Sequence, residues 1–176
     1  MREWIPVSTS PRGRLVLAAV KEFGARPFEE VTVTELASAA KVTTGALYHH
    51  FGSKLGLYAF VRHDIERRLL DRMEGAMAAA GTAPDPSAAV TSAMLVGLDF
   101  AVRENFPRIL ADPPPDAGDD PLAELLSHGT AAPAPLLGRV LAAAWRAALA
   151  AIAEGAPPEQ ARAALAVLSL RTPDHR

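Results

Sequence analysis

Apolar residues recur at three- and four-residue intervals along most of the chain, and no segment alternates convincingly as a β-strand would. The first such stretch predicts a helix that begins after Pro11 and ends before Pro27, because proline cannot continue a helix interior. Thr32 and Glu35 then have the spacing of a capping box, which predicts a second, short helix through Ala40. The apolar face of the first helix comprises Val16, Ala19, Val20 and Phe23.

A tight break at residues 41–43 separates the second helix from a third, which is predicted from Thr44 to His50. Ser53 is a favourable N-cap for a long fourth helix, whose apolar residues recur four apart. Those residues are Leu57, Val61, Ile65, Leu69, Met73 and Met77. The opposite face, which is predicted to be solvated, carries Arg62, Glu66, Arg67 and Arg72.

The remainder of the chain is also predicted to be helical, with interruptions at proline-rich segments. Residues 82–86 are predicted to form a linker, and residues 112–121, DPPPDAGDDP, an acidic surface loop. Further helices are predicted over 87–105, from 107, over 122–127, over 136–153 and over 157–170. The sequence therefore predicts an all-α protein of about nine helices without an internal repeat.

Charge and composition narrow the function only slightly. The formal net charge is −2 and there is no cysteine, which excludes disulfides and thiolate metal sites. A small basic excess lies in residues 1–80, which hold 11 Lys and Arg against 9 Asp and Glu. No apolar run suggests a membrane span, and residues 1–10 lack the apolar stretch of a secretory signal. We therefore expect a cytoplasmic protein with no membrane partner.

Three short helices with a tight turn between the second and third are typical of a helix-turn-helix. The apolar residues expected to lock these helices together are Leu36, Ala37, Ala40, Val42, Leu47 and Phe51. This core does not require Thr43 and Thr44 at the start of the third helix, nor Tyr48, His49 and His50 further along it. Their hydroxyl, backbone N–H and ring groups suit phosphates and base edges.

The run TVTELASAAKVTTGALYHHFGSK, residues 32–54, closely resembles the DNA-binding head of the TetR family of repressors. The segments RLVLAAVKEF at 14–23 and GSKLGLY at 52–58 fit the same family pattern. Two positions depart from that pattern, since Lys41 and Pro27 stand where the family commonly has glycine. A lysine at position 41 would need a left-handed backbone conformation if the turn keeps its geometry.

The resemblance implies a repressor that binds a palindromic double-stranded DNA operator as a homodimer and is released by a small-molecule effector. It implies a DNA-binding domain over residues 8–54 and a ligand-binding and dimerisation domain over residues 55–176. The residues that it assigns to DNA are Thr32, Thr34, Thr43, Thr44, Gly45, Tyr48, His49, His50 and Lys54, of which Lys54 is the expected phosphate-binding lysine. Arg12 and Arg14 are further candidates for contact with the DNA backbone.

The C-terminal helices have apolar faces that permit close approach of two subunits. The expected dimer face comprises Leu137, Leu141, Ala144, Ala148 and Ile152 on one helix and Ala161, Ala164, Leu165 and Leu168 on the last. These faces could equally pack inside one subunit. The candidate ligand-binding residues are Met73, Met77, Met94, Leu98, Phe106 and Trp145, which could also be plain core.

Two other functional classes remain as alternatives to a regulator. The first is an enzyme, although no nucleophile-and-base set, carboxylate pair or glycine-rich phosphate loop stands out. The second is a helical protein-interaction module in which the DNA-binding head is a relic. We expect no cofactor, and no metal at His49 and His50, because adjacent helical side chains point about 100° apart and no third ligand lies nearby.

Overall fold

The computed structural model describes residues 9–80, 86–113, 120–129 and 134–168. Within these ranges the chain forms nine α-helices, one 3-10 turn and no β-strand. The helices are α1 (Pro11–Ala25), α2 (Val33–Ala39), α3 (Thr44–Phe51), α4 (Lys54–Ala80), α5 (Pro86–Arg103), α6 (Pro107–Ala111), α7 (Pro121–His128), α8 (Pro135–Ala153) and α9 (Pro158–Val167). The 3-10 turn, Phe28–Glu30, lies between α1 and α2. The predicted all-α architecture is confirmed.

Proline occupies the first position of six of the described helices, α1 and α5 to α9. The missing N–H is harmless there, because the first N–H groups of a helix have no partner within it. The predicted helix starts at 87, 122 and 136 are each one residue late for this reason. Most of the predicted linker and acidic loop, and the predicted end of the last helix, lie outside the described residues.

The chain divides within α4 into two compact units, Met1–Ile65 and Glu66–Arg176. In the first unit α1, α2 and α3 each contact the other two. Their best-buried side chains, each at most 3% exposed, are Leu15, Val16, Ala19, Phe23, Leu36, Ala37 and Leu47. Burial of one such leucine contributes about 2 kcal/mol. Val42 and Phe51, also expected in this core, are half-buried.

Helix α2 ends in a Schellman motif whose left-handed residue is Lys41. The Val42 N–H donates to the Ala37 carbonyl at 2.9 Å, and the Lys41 N–H donates to the Ser38 carbonyl at 3.0 Å. The φ of Lys41 is 53°, as expected from the sequence if the turn keeps its geometry. A Cβ in this conformation is crowded by the following carbonyl, so the turn is strained.

In the second unit, α8 is held to the helices around it by side-chain donors as well as by apolar packing. The Trp145 indole N–H donates to the Met94 carbonyl of α5 at 3.0 Å, and both residues are buried. Gly138 lets α8 approach α7 closely, because a Cβ there would lie 2.1 Å from the Ala123 carbonyl oxygen. An Arg108 guanidinium N–H also donates to the carbonyl of Ala153, the last residue of α8, at 2.7 Å.

Asp120 links α7 to α8 through a bidentate ion pair. Its two carboxylate oxygens each accept a hydrogen bond from the Arg146 guanidinium at 2.7 Å, and it also caps α7 through the Ala123 N–H. Burial alone would raise the pKa of Asp120, but the bonds from Arg146 and Ala123 outweigh it and lower the pKa below its ordinary value. The charge of Arg146 is therefore paired inside the unit, as a buried charge requires.

One predicted face of α4 is corrected by the structure. Arg62 and Glu66 were expected to be solvated, but they are 3% and 9% exposed, and Asp64 is 4% exposed. Residues 61–66 are buried at five of six positions, so this part of α4 is covered on more than one side. The four-residue spacing identified the apolar stripe but did not indicate a second covered face. Arg67 and Arg72 are exposed, as predicted.

The expected dimer face on α8 and α9 is also corrected in part. Leu141, Ala161 and Leu165 are buried within the second unit. The apolar stripe that α8 leaves exposed is displaced by one position and comprises Leu136, Val140, Ala143 and Ala147. On α9 the exposed apolar residues are Ala163, Ala164, Ala166 and Val167, and Leu168 directly after the helix is also exposed. Apolar residues occur on both the buried and the exposed face of these alanine-rich helices, so the spacing of apolar residues did not identify which face packs in the core.

Contrary to the expectation from the sequence, one described helix, α8, is long and apolar enough by length and composition to cross a membrane. Helices in the core of water-soluble proteins pass the same test. Trp145, Leu149 and the ion-paired Arg146 of α8 are buried in the second unit. These contacts favour a packed core helix over a membrane span.

We expect Lys41→Gly to stabilise the protein by about 1 kcal/mol, because glycine adopts the left-handed conformation without the steric cost of a Cβ. Urea unfolding followed by circular dichroism measures this change. Lys41→Ala is the matched control, since it removes the charged side chain but keeps the Cβ. An equal gain in both variants would show that the charge, and not the backbone conformation, is responsible.

Candidate nucleic-acid interface

Helix α3 has one buried side chain and a broad polar surface. Leu47 is fully buried, whereas Tyr48, the next residue, is 53% exposed. Thr43 caps the helix, because its hydroxyl oxygen accepts a hydrogen bond from the Ala46 N–H at 3.2 Å. Thr44, Gly45, Tyr48, His49 and His50 are all exposed, and the first four share one side of the helix by their spacing, whereas His50 lies further round it. The fold therefore holds α3 by its inner side and leaves these polar groups unburied.

Gly45 is not required by the packing of the first unit. A Cβ at this position would lie 3.7 Å from the Thr43 hydroxyl oxygen, an ordinary van der Waals distance. Alanine would favour the helix over glycine, so glycine costs stability here. The packing within this unit therefore does not account for a glycine at position 45.

His49 and His50 lie in the last turn of α3. Their ring centroids are 5.1 Å apart and both side chains are exposed. In the part of the chain that the structure describes, no group of three or more His, Asp or Glu residues is placed to hold a metal ion.

The start of α2 contains the predicted capping box. Glu35 accepts hydrogen bonds from the Thr32 N–H at 2.8 Å and the Thr32 hydroxyl at 2.7 Å, and the Glu35 N–H donates to Thr32 at 3.2 Å. Arg26 adds an ion pair to Glu35 at 3.0 Å. The bonds from Thr32 and then Arg26 lower the pKa of Glu35 to about 2. Thr34, in the first turn of α2, is exposed.

Three basic side chains expected at the DNA backbone are engaged within the first unit. Lys54 donates to the carbonyls of Phe28 and Val31, both at 2.9 Å. Arg14 donates to the carbonyls of Ala40 and Thr9 at 2.9 and 2.7 Å. The Arg12 guanidinium lies 4.7 Å from the centroid of the Phe60 ring.

One residue of this region was missed at the sequence level. Gly56, in the first turn of α4, faces the carbonyl of Phe51 at the end of α3, and a Cβ there would lie 2.1 Å from that oxygen. Only glycine permits this close approach of α4 to the end of α3. The sequence signal for this contact is the close spacing of Gly52 and Gly56. Gly52 ends α3 with a φ of 73°, and Gly56 then lies against the end of that helix.

The N-terminal helices match a known protein family, and most of the chain is similar to solved structures. Residues 15–60 match the family "Bacterial regulatory proteins, tetR family". A TetR-family transcriptional regulator from Pectobacterium atrosepticum is 26% identical, with 89% of each chain covered and a TM-score of 0.63. A TetR-like regulator from Rhodococcus sp. RHA1 is 23% identical, with 93% of this chain and 95% of that chain covered and a TM-score of 0.67.

Residues 15–60 therefore resemble the N-terminal region of the TetR family, and the chain as a whole has a fold similar to that of TetR-family regulators. The TetR-like regulator LfrR from Mycobacterium smegmatis, whose structure contains proflavine, is 22% identical, with 92% of this chain and 97% of that chain covered and a TM-score of 0.55. No curated protein matches the chain. Residues 15–60 run from α1 into α4 and contain all nine residues assigned to DNA.

In the C-terminal region, five of the six candidate ligand-binding residues are at most 4% exposed: Met73, Met94, Leu98, Phe106 and Trp145. Met77 is half-buried and approaches Gly129, where a Cβ would lie 2.1 Å from the Met77 methyl carbon. Leu98 also lines a surface depression of about 410 Å³ between α5 and α9. The five buried residues belong to the core of the second unit, and the role of all six in ligand binding stays a prediction.

The capping box of α2 predicts an acid-dependent loss of stability. The pKa of Glu35 is about 2 in the folded protein against an ordinary 4.5, so its contribution is complete above pH 4.5 and is lost as pH falls towards 2. Glu35→Gln should therefore lower stability at pH 7 and flatten the pH dependence between 4.5 and 2. Urea unfolding at several pH values measures this. Glu29→Gln, at an exposed position of the 3-10 turn, is the control; an equal flattening there would contradict the assignment.

Gly45→Ala should change stability and DNA affinity in opposite directions. The variant should gain up to about 1 kcal/mol of stability, because alanine favours the helix. Its affinity for DNA should fall roughly tenfold, because the methyl group meets the DNA surface. Gly75→Ala, on an exposed position of α4 with no atom within 4 Å of the added carbon, should gain stability without loss of affinity. An undiminished affinity in Gly45→Ala would remove Gly45 from the interface.

Proposed function

We propose that this protein is a TetR-family repressor that binds a palindromic operator as a homodimer and is released by a small-molecule effector. The proposal rests on the difference between the two sides of α3, because Leu47 is completely buried whereas Tyr48 is 53% exposed. A helix held in this way presents its outer face to the major groove, as the recognition helix of a helix-turn-helix does.

The residues proposed for direct contact with DNA belong to two groups. Thr44, Gly45, Tyr48 and His49 would meet base edges or the groove floor, because they share the exposed surface of α3. His50 and Thr34, in the first turn of α2, would meet phosphates or sugars. Thr32, the N-cap of α2, would meet a phosphate only by exchanging one of the two hydrogen bonds that its N–H and hydroxyl donate to Glu35. The Thr43 hydroxyl oxygen accepts the helix cap, which leaves its hydrogen for a phosphate.

The proposed dimer contact uses the exposed apolar stripes of α8 and α9. Leu136 is 73%, Val140 55% and Val167 80% exposed in the single chain, and α8 and α9 contact each other. A second copy of the chain is the occupant that we propose, because the small side chains of Ala143 and Ala147 permit close approach of an identical helix pair. Such a dimer presents two recognition helices about 34–36 Å apart, which matches a palindromic operator.

The proposed effector site lies among the buried side chains of α4, α5, α6 and α8. The binding of proflavine by LfrR, which has a similar fold, supports a small-molecule effector, but its chemical class is open here. Met73, Met77 and Met94 are flexible enough to rearrange around a ligand. An effector must bind the DNA-released conformation more tightly than the DNA-bound one, because equal affinity shifts no equilibrium. Helix α4 belongs to both compact units and provides a continuous connection for such a shift.

Three further assignments complete the proposal. We propose residues 8–54 as the DNA-binding domain and residues 55–176 as the ligand-binding and dimerisation domain, although the compact units divide further along, within α4. The protein is proposed to act in the cytoplasm without a membrane partner. It is also proposed not to be an enzyme, and a turnover that is lost on changing a buried pocket residue would contradict this.

Selection of bound fragments from genomic DNA tests the function directly. The full-length protein should enrich fragments that share a palindromic sequence, and Tyr48→Ala should fail to enrich them while keeping the wild-type circular dichroism spectrum and oligomeric state. Enrichment without sequence preference would contradict operator recognition. No enrichment by the wild type would favour a protein-interaction module over a regulator.

Val140→Glu should separate the proposed dimer without unfolding the chain, because Val140 is exposed in one subunit and would be buried against its partner. Analytical ultracentrifugation should show a dimer for the wild type and a monomer for the variant, and operator affinity should fall with the loss of the second head. Arg139→Glu, at the adjacent exposed position, is the matched control. A dimer that survives Val140→Glu would place the interface elsewhere.

A further inference from the structure

A groove on the first unit, here called the α1–α2 groove, lies between α1 and the end of α2. It has a volume of about 380 Å³ and is lined by residues 39–41 and by Arg14, Leu17, Ala18, Lys21 and Glu22 of α1. Leu17 is 48% exposed in it. The Arg14 Nε donates to the Ala40 carbonyl at 2.9 Å, so the two walls are joined and the groove is preformed. None of the nine residues assigned to DNA lines it.

The α1–α2 groove has an excess of unpaired positive charge. Its one carboxylate, Glu22, is already bound by Arg26 at 2.8 Å. Among the described residues, no carboxylate forms an ion pair with Arg14, Lys21 or Lys41. Three cations around an exposed leucine favour a partner that is acidic and also has an apolar side chain, because complementary charges promote association and like charges oppose it.

Lys41 stands at a position that is costly for any residue with a Cβ. Its φ is 53°, and the hydrogen bonds that close this turn are made by backbone groups alone. In the part of the chain that the structure describes, its exposed side chain has no hydrogen-bond or ion-pair partner. The packing of the first unit therefore does not account for a lysine here, and a strained residue whose side chain the fold does not use is a candidate for a functional role.

We propose that the α1–α2 groove binds an acidic peptide segment of a partner protein. The segment places an apolar side chain against Leu17 and carboxylates on the cations around it. Arg14 and Lys21 lie seven residues apart on α1, about 10 Å along the helix axis, so carboxylates at a similar separation fit both. A DNA backbone would use the cations, but it has no apolar side chain to cover Leu17. The proposal goes beyond the repressor function and uses no residue assigned to DNA.

Selection from a library of random short peptides displayed on phage, with the full-length protein as the target, tests this proposal. The enriched peptides should carry acidic residues around a leucine, phenylalanine or methionine. Titration calorimetry with one of them, the selected peptide, then gives a Kd. Replacement of its Asp and Glu by Asn and Gln should raise that Kd roughly tenfold. Added salt should weaken the binding of the acidic form, because exposed charges are screened.

Variants of the protein locate the binding surface. Leu17→Ala should raise the Kd of the selected peptide roughly tenfold, because the apolar contact is lost. Lys41→Gly should raise it roughly fivefold while the protein becomes more stable, so unfolding cannot explain the loss. Lys41→Arg, which keeps the charge, should bind as tightly as the wild type. Leu55→Ala and Arg139→Ala are the matched controls, since both positions are exposed outside the groove, and should leave the Kd unchanged.

Three results would overturn the proposal. Enriched peptides without net negative charge, or no enrichment at all, would remove the predicted partner. An unchanged Kd in Leu17→Ala would place the peptide on another surface. A salt slope of operator binding that falls by about 0.9 in each of Lys21→Ala and Lys41→Gly, with peptide binding intact, would assign the groove to the DNA backbone instead.

Discussion

The burial of Leu47 fixes the orientation of α3, since it is the one buried side chain of that helix. A rotation of α3 that exposed Leu47 would cost about 2 kcal/mol and would bury polar groups without partners. Leu36 and Ala37 of α2 complete the same core, and the small side chain of Ala37 lets the helices cross closely. The DNA-facing surface is therefore what remains of α3 once this core is packed.

The polar residues around that core stabilise the helices as well as forming the proposed contacts with DNA. Thr32 and Thr43 cap α2 and α3 with their hydroxyl oxygens, and Glu35 is held by Thr32 and Arg26. These bonds satisfy N–H groups at helix starts that have no partner within the helix. The resemblance to the TetR family indicated that these residues matter, but it did not separate those that hold the fold from those that are free to meet DNA. Lys54 also stabilises the fold, since its ammonium group donates to the Phe28 and Val31 carbonyls.

The sequence was more informative about the first unit than about the second. In the first unit, caps and apolar spacing gave the starts of α2 and α3 correctly, because these signals are local. In the second unit, α8 is apolar on both faces, and Leu141, Trp145 and Leu149 take the core side while Val140 stays exposed. Spacing alone left these two faces equivalent. The difference is decided by α5, α6, α7 and α9, all of which pack against α8.

The sequence by itself determined the all-α class and the short helices of the helix-turn-helix, since helix caps and apolar spacing depend on residues close together in the chain. The left-handed turn at Lys41 was expected only from the resemblance to a family that commonly has glycine at that position. Only the tertiary structure decided that Lys54 and the Phe28–Val31 segment, more than 20 residues apart, are joined. It also decided that Gly56 must lack a Cβ because the Phe51 carbonyl lies against it. Contacts of this kind depend on how helices meet, and no local pattern of residue types encodes the distance between two helices.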